Sequence, residues 1–461
     1  MGKIKNRIIS LAAVCLFAIG LLPSAVSADD EPILFVNGKD IIAAADNTVQ
    51  CGTGKAVYDA ATHTLTLDNA QITEHTKNGD IPTTGRGAIY AMYTPLNIVL
   101  VGDNSIDIDG DNYKYAYGIY VWEQNLTISS ENKGSLTIAS NNRPVEAQGK
   151  VTIDNVSLDL AVETAECDGM GGESFEIKSS DIKLRSDGWG IYSENDFNVS
   201  DSKFDIQSPL NNIMVDEGKL TASNTKFYVK NTLGGCAIYA GKDITIENGS
   251  YVEAESEPDA AIYTPGNIKL DDSEFHLKGW YPGIMSGGNM EIKDSKVESK
   301  STDDIGIWSR SNLTIIGNTE VKSNGIGAAD EFAIEPADGS YAEVSADGSK
   351  SLAKTRIIME EVKDDFYYVI HKHTLSWVID KEPTENEEGI KHEECSTCDY
   401  KGEAVSIDKL TSDKPSGDKP SDDIPPATGN NPGTVIWIAA IAVCGAAVTI
   451  TSAYRYKKEN R

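Results

Sequence analysis

A small residue, an isoleucine and a large side chain recur along the middle of this chain at a nearly fixed interval. Gly190-Ile191-Tyr192, Ala237-Ile238-Tyr239, Ala261-Ile262-Tyr263, Gly283-Ile284-Met285 and Gly306-Ile307-Trp308 carry the pattern. With Ile213 included, the isoleucines fall about 22–25 residues apart. Ile89 and Ile119 start the series upstream with wider spacing, and Ala333-Ile334 closes it. Each triplet is followed by a turn-forming residue and a short alternating strand, as in Asn267-Ile268-Lys269-Leu270 or Asn312-Leu313-Thr314-Ile315. A second alternating strand follows, such as Glu274-Phe275-His276-Leu277-Lys278. A unit of this length cannot bury a face alone, so it must stack on its neighbours. Asn, Asp, Ser and Gly between the strands tolerate the left-handed backbone that sharp corners need. The expected fold is all-β, a right-handed parallel β-helix of about nine or ten coils, roughly 45–50 Å long at about 4.8 Å per coil. A β-sandwich would instead show hairpin turns every 8–12 residues or so, with no longer period.

The period places the β-helix at residues 86–335. Before it, residues 29–85 read as hairpins that cap the open edge, and residues 336–370 cap the other end. The first 28 residues have the layout of a secretory signal peptide: Lys3, Lys5 and Arg7, an apolar run, then Val26-Ser27-Ala28. Residues 371–410 form a small module with Cys395-x-x-Cys398, and residues 411–424 a disordered spacer rich in Pro, Asp and Ser. Residues 425–461 hold Pro425-Pro426-Ala427-Thr428-Gly429, an apolar stretch at 434–454 long enough to span a bilayer, and a basic tail.

Three resemblances follow from these residues. Motif, apolar span and basic tail together resemble the sorting signal of Gram-positive surface proteins. That implies a sortase as transient partner, cleavage between Thr428 and Gly429, and covalent linkage to peptidoglycan. Pro425 stands where that family has Leu, which is similar to a variant accepted by clostridial sortases. The order Asn37-Gly38-Lys39 … Gly54-Lys55-Ala56-Val57-Tyr58 … Gly87-Ala88-Ile89-Tyr90 resembles clostridial-type surface β-helix proteins often labelled carbohydrate-binding, over residues 31 to 330. The small module resembles a short repeat near the ends of Firmicutes surface proteins.

A formal net charge of −30 argues against nucleic acid as a partner and favours solubility or divalent cations. Cys395 and Cys398 could clasp zinc, with His371, His373 or His392 completing the set; a forty-residue module has little core, and a metal would supply folding energy. Asp107, Asp109 and Asp111 alternate and could present oxygens to calcium, although a solvated acidic turn is the favoured reading. Cys167 and Cys236 read as buried thiols too far apart to pair. Many β-helices cleave polysaccharide, so a lyase or hydrolase is a competing reading. Against it, the Asp pairs 271–272 and 303–304 fall at corners, the histidines are isolated, and Arg143, Arg185 and Arg310 are too scattered to join an acidic cluster.

If the triplet isoleucine points inward, alternation sends the next residue outward. Tyr90, Tyr120, Tyr192, Tyr239, Tyr263 and Trp308, with Met214 and Met285, would then form one external column. Such a column is either a packing ladder or a platform for sugar rings. The expected function is a non-catalytic, wall-anchored monomer on the cell surface that binds polysaccharide or another surface ligand. A stalk or adhesin for a protein partner is the third reading.

Overall fold

The computed structural model of the protein describes residues 31–77, 81, 86–108, 116–162, 167–336, 341–344, 368–372, 374–396 and 401–410. The signal peptide, spacer, sorting motif and 434–454 stretch lie outside these residues. Among the described residues, no helix is long and apolar enough to cross a membrane.

The central chain coils into three sheets of 13, 14 and 13 strands, here called A, B and C. Each coil supplies one strand to each sheet in turn, for example Ile262–Thr264 to A, Ile268–Asp271 to B and Glu274–Gly279 to C. That unit repeats ten times among the described residues, from Arg86–Met92 to Glu320–Ser323. Pairing between coils is parallel and in register, with Ile238 opposite Ile262 and Ile284 opposite Ile307. Two coils lack the isoleucine signature. Val145 and Met170 fill its place between Ile119 and Ile191, which accounts for the wide spacing in the sequence. The last sheet A rung is Ile326–Ala328, whereas Ala333-Ile334, expected to close the triplet series, lies in the sheet B strand Phe332–Pro336. A two-residue apolar match cannot tell one sheet from another, because both alternate with the same period.

Alternation fixes what is inside. The triplet isoleucines are fully buried, as is a run of phenylalanines, Phe175, Phe197, Phe204 and Phe227. Their ring centroids stand 5.7, 6.1 and 5.1 Å apart in that order. The B-to-C corner turns on a left-handed residue: Asn155, Ser179, Asp201, Asn224, Asn248, Asp272 and Asp294 all have positive φ, and Gly317 takes the same role. Asn and Asp reach this conformation at small cost, which is why they recur there. Just after that residue an inward hydroxyl bonds a corner carbonyl and receives an N–H from the preceding coil. Ser273 Oγ donates to the Asp271 carbonyl at 2.8 Å, and the Ser273 N–H donates to Ser295 Oγ at 3.2 Å. Buried polar groups at the corners are thus paired from coil to coil.

At the N-terminal end, Ile33–Val36 pairs antiparallel with the first long sheet A strand, and Thr48–Cys51, Gly54–Asp59 and Thr64–Asp68 form a meander on the edge of sheet B. Parallel pairing begins at Thr64–Asp68, against Leu96–Val101. At the other end Tyr368–Lys372 pairs antiparallel with Glu320–Ser323. Antiparallel strands at both ends cover edges that would otherwise offer free backbone groups. Leu375–Lys381, Gly389–Cys395 and Val405–Ile407 form a three-stranded sheet.

Candidate functional site on the outer face of sheet A

The outward position of sheet A can be followed coil by coil through the register. It runs Phe35, Tyr90, Tyr120, Glu146, Gly171, Tyr192, Met214, Tyr239, Tyr263, Met285, Trp308 and Gly327. The six residues from Tyr192 to Met285 and Trp308 are half-buried, each beside a fully buried isoleucine. The Tyr239 and Tyr263 rings lie 5.8 Å apart, tilted by 54°. The column ends at Gly327, which is buried. A Cβ there would lie 2.6 Å from the Trp308 ring, so glycine lets the indole lie down over it.

Tyr90 and Tyr120 lie on the same column but not on its open part. Tyr90 is 0% and Tyr120 5% exposed. Ile81 and Met92 cover them, with Ile33, Phe35, Tyr93, Tyr117 and Trp122 packed around. This is a second small core outside the solenoid wall, and no periodicity announces it. Ile81 falls outside every repeat.

Between the two aromatic stretches the column carries Glu146 and Gly171. Arg143, from the preceding C-to-A corner, donates from Nη1 to Glu146 Oε2 at 2.7 Å. It also donates from Nε and Nη2 to Asp168 Oδ2, at 3.1 and 2.5 Å. Arg143 was expected to be too distant from other charges to join an acidic cluster. The coil brings all three together because residues one turn apart in sequence are neighbours in space. Gly171 provides the room: a Cβ there would collide with the Glu146 carboxylate and lie 2.7 Å from Arg143 Nη1. Burial lifts the Glu146 carboxyl above the usual carboxylate range, and Arg143 only partly offsets it.

The phenols keep their protons. Burial raises Tyr192, with Asp216 and Glu194 adding to it, and raises Tyr239, with the neighbouring Tyr263 adding less. Tyr192 donates to Asp216 at 3.2 Å and Gln148 donates to the Tyr120 hydroxyl at 3.4 Å. The strip therefore offers ring faces with neutral hydroxyls at their rims.

The metal candidates fall elsewhere. Asp107 ends a sheet C strand and is exposed, while Asp109 and Asp111 lie outside the described residues. Cys395 is buried and His371 lies in the strand Tyr368–Lys372; Cys398 and His373 lie outside the described residues. His392 uses both ring nitrogens on carboxylates, Nδ1 with Asp380 at 2.6 Å and Nε2 with Glu394 at 2.8 Å. Those bonds leave it no lone pair for a metal. Among the described residues no group of three His, Cys, Asp or Glu side chains could hold an ion. Cys236 is buried, and its thiol is pushed well up by burial; Cys167 is half-buried and donates to the Asn141 carbonyl at 3.8 Å. Of the aspartates weighed for hydrolysis, Asp271 faces Lys269 and Lys293, and Asp272 is a left-handed corner.

The family model described as carbohydrate-binding domain-containing protein matches residues 47–325, more than half of the chain, and the chain belongs to that family. No curated protein and no solved structure matches it.

The residues that sequence reading passed over are Glu146, Asp168, Tyr117, Trp122 and Trp189, and it set Arg143 aside. One signal was available. Tyr117-Gly118-Ile119-Tyr120 and Trp189-Gly190-Ile191-Tyr192 both place an aromatic three residues before the column tyrosine.

Proposed function

We propose that the protein holds polysaccharide along the outer face of sheet A, at the cell surface, without cleaving it. The observation that carries this reading is the half-buried run Tyr192, Met214, Tyr239, Tyr263, Met285 and Trp308, presented in register by successive coils. At roughly 4.8 Å per coil the run offers ring and thioether faces at short, regular intervals to a chain laid along the axis. Aromatic side chains are suited to this because little rotamer freedom is lost when they bind. Membership of a carbohydrate-binding family supports the ligand class. Glu146 and Asp168 beside this strip are tied to an arginine, an arrangement suited to holding hydroxyls.

Sedimentation with insoluble polysaccharides and affinity electrophoresis with soluble ones test the reading. Tyr239→Ala combined with Tyr263→Ala should weaken retention by about tenfold or more, at about 1 kcal/mol for each ring, with no new reducing or unsaturated chain ends in either protein. Unchanged retention removes the aromatic strip as the site, and new chain ends make the protein an enzyme.

The same reading places the chain on the wall by sortase transfer at Thr428, with the motif Pro425 to Gly429 supporting it. Thr428→Ala should move the protein from the wall fraction to the membrane or medium. A zinc ion on Cys395 and Cys398, with His371 or His373, belongs to this proposal for the small module. Metal analysis of the purified protein checks it.

A further inference from the structure

Two tetrapeptides build one device twice. In Tyr117-Gly118-Ile119-Tyr120 the two tyrosine rings stack with centroids 4.5 Å apart and planes 15° from parallel. In Trp189-Gly190-Ile191-Tyr192 the indole and phenol stack at 5.3 Å and 16°. The glycine is required in both. A Cβ on Gly118 would lie 2.5 Å from both Ile138 Cγ2 and the Pro144 carbonyl, and one on Gly190 would strike the Asn212 carbonyl. The chain can turn from sheet C into sheet A here only by passing close to its neighbour, and that turn brings the leading aromatic beside the tyrosine.

The register runs Tyr120, Glu146, Gly171, Tyr192, so the two stacked pairs stand three coils apart, roughly 14 Å. Tyr120 is buried beneath Tyr117 and set edge-on to Trp122 at 6.0 Å. The accessible surface at that end is therefore supplied by the half-buried Tyr117 and Trp122, and at the other end by Trp189 and Tyr192. The window between them is polar. Asp168 positions two of its members, accepting from Arg143 through Oδ2 and from the Trp189 backbone N–H through Oδ1 at 2.8 Å. Glu146 has Oε2 on Arg143, while Oε1 accepts no hydrogen bond among the described residues, and the side chain keeps 15% of its surface exposed.

We propose that this window is a glycan subsite that selects uncharged sugar residues. It deepens the polysaccharide-binding reading and rests on it. A sugar at each end lies against a ring pair, and hydroxyls between them meet Glu146 Oε1 and the remaining N–H groups of Arg143. Selection follows from charge. One guanidinium faces two carboxylates, and Asp216 and Glu194 sit beside Tyr192. A uronate carboxylate entering here meets a net negative field with its cationic partner already committed, which is how a site rejects a close analogue. Charge-assisted bonds to the open carboxylate oxygen favour a neutral hydroxyl.

Calorimetry with neutral glucan, mannan and galactan oligomers, and with galacturonate oligomers of matched length, all in EDTA, tests the proposal. At least one neutral oligomer should bind the intact protein at least about tenfold more tightly than galacturonate. Trp189→Ala should weaken that oligomer by about tenfold, Trp189→Phe should restore most of it, and Glu146→Gln should narrow the preference over galacturonate. Lys278→Ala, on the outer face of sheet C, should leave oligomer affinity unchanged. Equal or tighter galacturonate binding in EDTA overturns the proposal. Oligomer binding that survives both Trp189→Ala and Glu146→Gln also overturns it while leaving the broader reading intact. Failure of every polysaccharide to be retained overturns both.

Discussion

Sheets A and C come from the same coils, share the same parallel register and bury the same kinds of residue, yet their outer faces differ in one respect. On sheet C many outward charges of successive coils pair with the opposite sign, although Lys203 faces Lys226 and Lys278 faces Lys300. Asp159 meets Lys183 at 3.0 Å, Arg185 meets Asp205 at 3.0 Å, and Glu255 lies between Lys230 at 3.0 Å and Lys278 at 2.5 Å. A groove of roughly 450 Å³ runs through this face, lined by paired charges such as Glu255 with Lys230 and Lys278, together with Tyr228 and His276. On sheet A the repeating outward residue is a ring or a thioether, which gains little polar satisfaction from its neighbours and keeps its faces available. A column of charges completes itself, whereas a column of rings can still take a ligand. The one charged node on sheet A differs again, because its cation and carboxylates are mostly buried and unequal in number.

That contrast can be broken at its strongest point first. Arg143→Ala leaves Glu146 and Asp168 facing each other without a cation and should cost about 3 kcal/mol of stability, whereas Lys278→Ala, at an exposed pair, should cost under about 1 kcal/mol. Chemical denaturation of the two variants measures the difference; equal losses would mean that the two faces do not differ in this way. Glu255→Lys then places four like charges in succession in one sheet C column, with Lys230, Lys278 and Lys300. It should destabilise by about 1 kcal/mol, recover in high salt and leave glycan retention untouched. Lost retention would move the binding face to sheet C.

The smallest effect is a difference in sign. Lys278, and then Lys230, hold the Glu255 carboxyl below its usual range, and Lys296 and then His276 do the same for Glu274. Their stabilisation is complete above the ordinary carboxylate pKa of about 4.3 and is lost as pH falls through the lowered values. Glu146 runs the other way: its pKa is raised, so it takes up a proton first on acidification and favours the folded state as it does. Glu146→Gln should therefore make the fall in unfolding free energy between about pH 7 and pH 4 steeper than in the intact protein. A shallower fall would place the Glu146 carboxyl below its ordinary range.

Much of the fold was legible because stacking forces a period on the sequence. Ile191, Ile238 and Ile262 each mark one coil and each lies fully inside. The corner residues were legible for the same reason, since a left-handed position admits few side chains. The site was legible only in part. Tyr192, Tyr239, Tyr263 and Trp308 follow from alternation, but the cover over Tyr90 and Tyr120 comes from Ile81 and an antiparallel strand that obey no repeat. Two coils were hidden because Val145 and Met170 are acceptable inside but do not match the isoleucine. Those coils carry the charged node.

The sequence alone determined that this chain is a solenoid, which residue of each triplet faces inward, and where each corner turns, because these depend on local alternation and backbone preference repeated many times. Only the tertiary structure decided which outward rings stay open, and that Arg143, Glu146 and Asp168 meet. Those contacts join residues about one coil apart or bring in segments outside the repeat, and a parallel register turns such distances along the chain into adjacency.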